Sequence, residues 1–158
     1  GETFTLPEAV VDDRVAVLQG LDGRKMSKTY GNTIPLFGTP KQLQKAINKI
    51  KTNLLEPGEP KDPDDSTVFQ VWCAFANEAE REHMRQAFAD GSAWGEAKKQ
   101  LFERVNDELS PARDTYERLM ADPEEVESIL KQGAERLRPQ STALLEKVRR
   151  AVGLRASR

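Results

Sequence analysis

Leu21-Asp22-Gly23-Arg24-Lys25-Met26-Ser27-Lys28-Thr29-Tyr30-Gly31-Asn32-Thr33 is the stretch from which the fold and the function of this chain are best inferred. Two lysines three residues apart stand beside small hydroxyl residues, with a glycine on each side of the group. Ammonium groups bind phosphate oxygens readily, and hydroxyls with free backbone N–H groups can complete such a site. We therefore predict a mobile loop over Lys25–Thr29 that binds a polyphosphate.

The flanks of this loop predict a strand before it and a helix after it. Arg14-Val15-Ala16-Val17-Leu18 is apolar and β-branched, which is typical of a short buried strand. Thr39-Pro40-Lys41-Gln42 has the form of a capping box with proline at the first helical position. A phosphate loop between a strand and a helix is an expected context for nucleotide binding.

The pentapeptide Lys25–Thr29 resembles the KMSKS signature of class I aminoacyl-tRNA synthetases, with Thr29 in place of the final serine. The tyrosyl-tRNA synthetases usually carry Phe-Gly where this chain has Met26-Ser27, so the resemblance favours the bacterial tryptophanyl-tRNA synthetases. Other stretches that resemble this family run from near Phe4 to Leu154: Leu6–Ala9, Asn32–Phe37, Ile50–Thr52, Pro60–Asp65 and Ala151–Leu154.

The resemblance implies roles for the loop residues in activating tryptophan with ATP. Lys28 is expected to contact the departing pyrophosphate most directly, and Lys25 to support it. Backbone near Met26 should lie against adenine. The expected ATP-binding set is Lys25, Met26, Ser27, Lys28, Thr29 and, as a weaker candidate, Val15. ATP would enter as a substrate with Mg²⁺, and we expect neither a prosthetic group nor a metal held by this chain.

The resemblance also implies that a large part of the enzyme lies outside this sequence. Family members begin with a Rossmann domain that holds a His-Ile-Gly-His-like motif, the tryptophan pocket and most of the dimer interface. This chain has a single histidine, His83, in a charged run, and no Gly-x-Gly-x-x-Gly pattern. We therefore expect a C-terminal part of a homodimeric ligase of protein biosynthesis that binds ATP and tRNA(Trp), with tryptophan bound by the missing part.

The expected organisation has three segments. Residues 1–38 would end the Rossmann domain and carry the loop, residues 39–138 would form a helical anticodon-binding bundle, and residues 139–158 a C-terminal helix and basic tail. The fold class is thus mainly α, a helical bundle preceded by the last strand of a Rossmann-type domain.

Composition is consistent with a helical, highly charged unit. Apolar residues make up 37% and charged residues 32% of the 158, and the net charge is −2, so RNA contacts would have to come from local patches. The lone Cys73 excludes an internal disulfide and a cysteine-cluster zinc site, which fits a cytoplasmic protein. No apolar run approaches membrane-spanning length, and no signal sequence opens the chain.

Apolar spacing and caps predict the helices in more detail. One should run from Pro40 to about Thr52 and another should begin at Asp65 or Ser66. A third should begin at Asn77 and stop at Gly91, and a fourth, kinked at Pro111, should span Trp94 to Met120. A fifth, beginning at Asp122, should bury four residues, and a short sixth should follow. The four are Val126, Ile129, Leu130 and Ala134, and the sixth helix carries Leu144, Leu145, Val148, Ala151 and Val152.

Several surface residues have a structural and a functional interpretation. The stripe Lys41, Lys45 and Lys49 could face phosphate, but a solvated face is favoured. His83 is interpreted as a surface residue, since no partner for acid–base catalysis is identifiable. Five residues are possible anticodon contacts without any being assigned, so the tRNA-binding residues stay unknown: Lys98, Lys99, Arg104, Arg113 and Arg118.

Two alternative functions stay open at this point. The chain could be a non-catalytic helical module that binds RNA or protein, for which an intact pair of loop lysines would be unnecessary. It could also come from a tyrosine-specific class I synthetase, which only the missing amino-acid pocket would distinguish.

Overall fold

The structure is a computed structural model that describes residues 3–11 and 17–154. Within these ranges the regular structure is helical, which confirms the predicted mainly α class. A 3₁₀ turn covers Lys28–Tyr30, and the single β-bridge joins Gln19 to Lys25. The α helices are α1 Pro40–Asn48, α2 Thr67–Phe75, α3 Glu78–Ala89, α4 Trp94–Ala121 and α5 Pro123–Ala151.

The strand expected over Arg14–Leu18 falls largely outside the described residues. Residues 12–16, and with them the candidate adenine contact Val15, belong to that part. Val17 and Leu18 are described and do not form a strand.

Side-chain caps start the first three helices where the sequence predicts them. The backbone N–H of Gln42 donates to Thr39 Oγ1 at 3.2 Å, and the Gln42 side chain accepts from the Thr39 N–H at 2.8 Å, so the capping box of α1 is confirmed. Ser66 caps α2 and Asn77 caps α3. The predicted end of α1 at about Thr52 was wrong, because the helix ends at Asn48.

Helix α4 runs without a break through Pro111, as predicted. Proline removes one backbone donor from a helix interior, and the hydrogen bond it would have made is lost. The Thr115 hydroxyl donates to the carbonyl of Pro111 at 3.0 Å on the following turn.

Helix α5 corrects the prediction of two separate C-terminal helices, because it continues through Pro139 as one helix. It contains no buried residue: Val126 is half-buried, whereas Ile129, Leu130 and Ala134 are exposed. An apolar period shows which face of a helix avoids water, but it does not show whether this chain supplies a partner for that face. The predicted burial of these residues was therefore wrong.

The chain divides into two compact units, one of Val11–Tyr116 and one of Gly1–Val10 with Glu117–Arg158. The core lies in the larger unit, where α1 to α4 contribute fully buried side chains such as Leu43, Ile47, Phe88 and Leu101. Leu18, Leu21 and Ile34 pack against this core from outside the helices. The segments that enter and leave the lysine loop are thus attached to the hydrophobic core of the unit. No described helix is both long and apolar enough to cross a membrane.

Candidate phosphate-binding loop

The entry segment of the lysine loop is held by backbone hydrogen bonds as well as by packing. The N–H of Met26 donates to the Leu18 carbonyl at 2.9 Å, and that of Gly20 donates to the Arg24 carbonyl at 2.7 Å. The Leu21 carbonyl accepts from the Lys51 N–H at 2.8 Å, which ties the turn to the end of α1. Lys25 therefore stands at the end of a short ladder with a fixed backbone.

Asn32 closes the loop from its other end. Its side chain is 3% exposed, and its Oδ1 accepts from the Ser27 N–H at 2.8 Å. Its Nδ2 donates to Asp22 Oδ1 at 2.7 Å and approaches the Lys25 carbonyl at 3.3 Å. Its backbone carbonyl accepts from the N–H of Leu21 at 3.0 Å. One residue thus binds both the entry and the middle of the loop.

Lys28 lies on the 3₁₀ turn beyond this ladder. Ser27 caps the turn, since its Oγ accepts from the Thr29 N–H at 3.2 Å. Gly31 ends the turn with φ of 63°, a left-handed conformation that favours glycine. Both Lys25 and Lys28 are exposed, so the structure brings the two predicted catalytic lysines onto one accessible loop.

The turn before the lysines carries a charged network that sequence reasoning missed. Arg24 binds Asp22 Oδ2 through Nε at 2.7 Å and Nη2 at 2.6 Å, and its guanidinium lies 4.3 Å from the centre of the Tyr30 ring. The hydrogen bond from Asn32, followed by those from Arg24, lowers the pKa of Asp22 to about 2. Asp22 is therefore an anion over the whole physiological range.

Three backbone N–H groups of the loop are already hydrogen-bonded within the chain in this conformation. The N–H of Met26 donates to the Leu18 carbonyl, and that of Ser27 donates to Asn32 Oδ1. The N–H of Thr29 donates to Ser27 Oγ. The side chains of Lys25, Lys28 and Thr29 are exposed and accessible in this conformation.

Four glycines in and around the loop segment differ in their environments. Gly23 and Gly31 have φ of 81° and 63° and open space around them. Gly20 is instead packed so closely that a Cβ there would lie 2.4 Å from Cγ of Asn32. A Cβ added at Gly38 would lie just over 3 Å from side-chain atoms of Gln42 and Pro35. Gly31 separates the 3₁₀ turn from Asn32, whose side chain is hydrogen-bonded to the entry segment.

Four of the five basic residues considered as anticodon contacts are engaged within the chain. Lys98 donates to the carbonyls of Asn48 and Ile50 at the end of α1, and burial lowers its pKa. Arg104 donates to the Phe75 carbonyl and pairs with Glu108. Arg118 pairs with Glu125.

Arg113 is the least expected of these residues. It is 4% exposed and donates through Nη1 to Asn106 Oδ1 at 3.1 Å, while its Nε and Nη2 have no hydrogen-bond partner. Lys99 and Arg118 are the two exposed residues of the five.

The lysine stripe of α1 and His83 lie at the surface, whereas Trp72 lies in the core. Lys41, Lys45, Lys49 and His83 are exposed, and Trp72 is buried with its indole N–H donating to the Glu80 carbonyl at 3.2 Å. Within the described ranges, no group of three His, Cys, Asp or Glu residues is arranged to hold a metal ion. A cavity of about 440 Å³ opens beside the loop, lined among others by Arg24, Lys51 and Trp94.

Comparison with known proteins supports the resemblance. The family of class I tRNA synthetases for W and Y matches residues 1–110. The tryptophan–tRNA ligase of Neisseria meningitidis serogroup A is 53% identical over 154 residues, which is 98% of this chain and 46% of that protein. The tryptophan–tRNA ligase of Pseudomonas aeruginosa is 50% identical over 157 residues, which is 99% of this chain and 35% of that protein.

A solved structure agrees with these relatives. The tryptophanyl-tRNA synthetase of Campylobacter jejuni, crystallised with ADP and tryptophan, superposes with a TM-score of 0.80 at 36% identity. The match covers 98% of this chain and 49% of that one. The chain thus spans about half the length, or less, of the relatives it matches. Since the family match covers well over half of the sequence and includes the whole lysine loop, the chain belongs to the class I tRNA synthetases of the tryptophan and tyrosine group.

Proposed function

We propose that this chain is the C-terminal part of a bacterial tryptophan–tRNA ligase and that its lysine loop binds the phosphates of ATP. The observation that carries the proposal is the exposed pair Lys25 and Lys28 on a loop whose base is attached to the core. The named relatives, all tryptophan–tRNA ligases, support the choice of tryptophan over tyrosine.

The proposed reaction has two steps. The carboxylate of tryptophan attacks the α-phosphorus of ATP, and the bond to the β-phosphate oxygen breaks to give tryptophanyl-adenylate and pyrophosphate. The tryptophanyl group then passes to a terminal ribose hydroxyl of tRNA(Trp), with AMP as the leaving group. Catalysis of the first step consists mainly of positioning and charge stabilisation.

Within this reaction the loop residues would have different roles. Lys28 would bind the departing pyrophosphate and Lys25 would support it, both as ammonium groups close to developing negative charge. Thr29 and Ser27 would offer hydroxyls to phosphate, and backbone near Met26 would lie against adenine. Val15, which lies outside the described residues, is a weaker candidate for a backbone contact to adenine.

The remaining proposals concern parts outside this chain and partners. Mg²⁺ would arrive bound to ATP and neutralise phosphate charge. Tryptophan would be bound by a preceding Rossmann domain, through which the parent would form a homodimer in the cytoplasm. Residues 39–138 would form the anticodon-binding bundle, and no individual tRNA contact is proposed here.

The test is tryptophan-dependent ATP–pyrophosphate exchange by the full-length protein, wild type beside Lys28→Ala. We expect exchange with tryptophan and not with tyrosine, and a kcat lowered by about 10²-fold or more in the variant, since a charge partner of the transition state is lost. The KM for tryptophan should change little. Lys45→Ala, an exposed lysine on α1, is the matched control and should behave as wild type.

Other results would change the assignment in defined ways. Exchange with tyrosine would overturn the substrate. No exchange by the wild-type protein would favour the non-catalytic RNA- or protein-binding module. We expect no exchange by the 158-residue chain alone, because the tryptophan pocket would lie in the missing part, and robust exchange by it would contradict this assignment.

A further inference from the structure

We infer that Asn32 is a positioning residue of the lysine loop: its side-chain amide fixes the backbone at Lys25 and sets the point at which the turn carrying Lys28 begins. The inference rests on the proposed function of the two lysines and adds a residue to which neither the family signature nor the charge pattern draws attention.

The chemistry of a primary amide matches the surroundings of Asn32. Its single carbonyl oxygen accepts from the Ser27 N–H at 2.8 Å, while its NH₂ group faces Asp22 Oδ1 at 2.7 Å and the Lys25 carbonyl at 3.3 Å. A reversed amide would place oxygen against oxygen on one side and donor against donor on the other. An asparagine in this one orientation satisfies both sides, whereas aspartate or alanine cannot.

Asp22 holds that orientation. Its Oδ1 accepts from Asn32 and from the Arg24 N–H, the latter at 3.1 Å, while its Oδ2 binds the Arg24 guanidinium. The carboxylate is therefore fixed by neighbours on the same turn. An amide that donates to a fixed anion cannot flip without losing this charge-assisted hydrogen bond.

This network holds the backbone at Lys25 more directly than the backbone at Lys28. The two neighbours of Lys25 are both bonded to the entry segment, Arg24 through its carbonyl and Met26 through its N–H. The carbonyl of Lys25 faces the Asn32 amide. Lys28 lies on the 3₁₀ turn between Ser27, whose N–H is held by Asn32, and Gly31. Asn32 thus presets Lys25 and provides the fixed start of a short turn on which Lys28 can move to the phosphates.

The burial of Asn32 leaves no room for a substitute to reach the same partners. Asn32 is 3% exposed, and Gly20 packs directly against its side chain, since a Cβ on Gly20 would lie 2.4 Å from its Cγ and Nδ2. A longer glutamine would not fit, and a shorter serine would not reach both Ser27 and Asp22.

The first test compares Asn32→Asp and Asn32→Ala with wild type in pyrophosphate exchange by the full-length protein. We expect kcat to fall by about 10²-fold in both, the loss typical of a misplaced catalytic group, with the KM for tryptophan within about twofold. Asn32→Asp should recover relative to wild type as the pH falls from about 8 to about 6. The introduced carboxyl is buried beside Asp22, so its pKa is raised, and protonation restores one donor.

Asn77→Ala is the matched control, because Asn77 also holds a backbone N–H through its side chain but caps α3 instead of contacting the loop. It should lower the melting temperature while leaving kcat within about twofold of wild type. If it lowers kcat as much as Asn32→Ala, or if the Asn32→Asp deficit does not respond to pH, the effect is general destabilisation and the inference is overturned.

A second measurement does not depend on activity. Hydrogen–deuterium exchange on the 158-residue chain should show protection of the Ser27 amide that is lost in Asn32→Ala and kept in Asn77→Ala. Unchanged protection would overturn the inference. If the wild-type full-length protein shows no pyrophosphate exchange, this result would count against the proposed function. The hydrogen–deuterium measurement would still decide the role of Asn32.

Discussion

At the scale of single residues, the lysine loop depends on contacts between residues that are not themselves candidates for binding phosphate. Asp22 and Gly20 both contact Asn32, and none of the three carries a positive charge that could bind phosphate. Their substitution should therefore act through the position of the loop. Two residue-scale predictions follow from this arrangement.

Gly20→Ala should destabilise the chain by about 1–3 kcal/mol, the usual cost of forcing extra atoms into a packed site. The added Cβ would lie 2.4 Å from Asn32 side-chain atoms and 2.5 Å from the Asn32 carbonyl oxygen. Urea unfolding measures the change. Gly95→Ala is the control: no atom lies within 4 Å of its Cβ position, so stability should be unchanged or slightly higher. Equal effects would show that the contact with Asn32 does not matter.

The lowered pKa of Asp22 should make the free energy of unfolding depend on pH in the acidic range. Its pKa in the folded chain is about 2 against an ordinary 3.8, so it contributes stability that is fully present above about pH 4 and is lost as the pH falls through about 2. Free energies of unfolding measured from pH 5 to pH 2 should show wild type losing its advantage over Asp22→Asn in that window. A constant difference between the two would contradict the role of the ionised carboxylate.

At the scale of elements, helix ends and connections are held by lysines that donate to backbone carbonyls. Lys98 donates to two carbonyls at the end of α1, and Lys61 does the same in the loop between α1 and α2. The proline-rich stretch from Leu55 to Asp65 is thus a loop that is hydrogen-bonded internally. Its Gly58 N–H also donates to the Gly91 carbonyl at 2.8 Å, which joins it to the end of α3.

Lys61→Met should destabilise the chain by about 2 kcal/mol, because charge-assisted hydrogen bonds are lost and carbonyl groups are left unpaired. Lys61 is 4% exposed, and its ammonium donates to the carbonyls of Glu56 at 3.2 Å and Glu59 at 2.9 Å. Chemical unfolding measures the difference. Lys45→Met removes an exposed lysine of α1 and should change stability by less than about 0.5 kcal/mol. A loss that is no larger in Lys61→Met would show that the bonds are not stabilising.

At the scale of the whole molecule, the apolar side chains of α5 are the main feature left without a partner in the described chain. Leu130, Leu137 and Leu144 recur every seven residues and are 61%, 51% and 46% exposed. A helix with such a stripe normally buries it.

The 158-residue chain alone should therefore self-associate as its concentration rises, because association removes this stripe from water. Sedimentation velocity over a range of concentrations measures it. Leu137→Glu should reduce the association, whereas Gln132→Glu adds the same charge to α5 without removing a leucine and should not. A wild-type chain that stays monomeric at all concentrations, or equal effects of both variants, would contradict the prediction.

Local signals in the sequence were sufficient for much of the fold and for the candidate lysines. The caps at Thr39, Ser66 and Asn77 and the continuous stripe of α4 depend on neighbours a few residues away, so they can be read along the chain. The lysine pair is equally local, because a phosphate-binding charge pattern is a property of five consecutive residues. These features did not require the tertiary structure.

Contacts between distant residues could not be predicted in this way. The bonds of Asn32 to Asp22, ten residues away, and of Lys98 to Ile50, 48 residues away, depend on how the chain folds back on itself. Burial of Arg113 and exposure of Leu130 have the same origin, since periodicity shows the polarity of a face but not what covers it. The sequence by itself determined where the helices begin, the caps of α1 to α3 and the lysine pair, because these arise from short-range hydrogen bonds and charge. Only the tertiary structure decided how the loop is held, because that depends on which distant groups are brought within hydrogen-bonding distance.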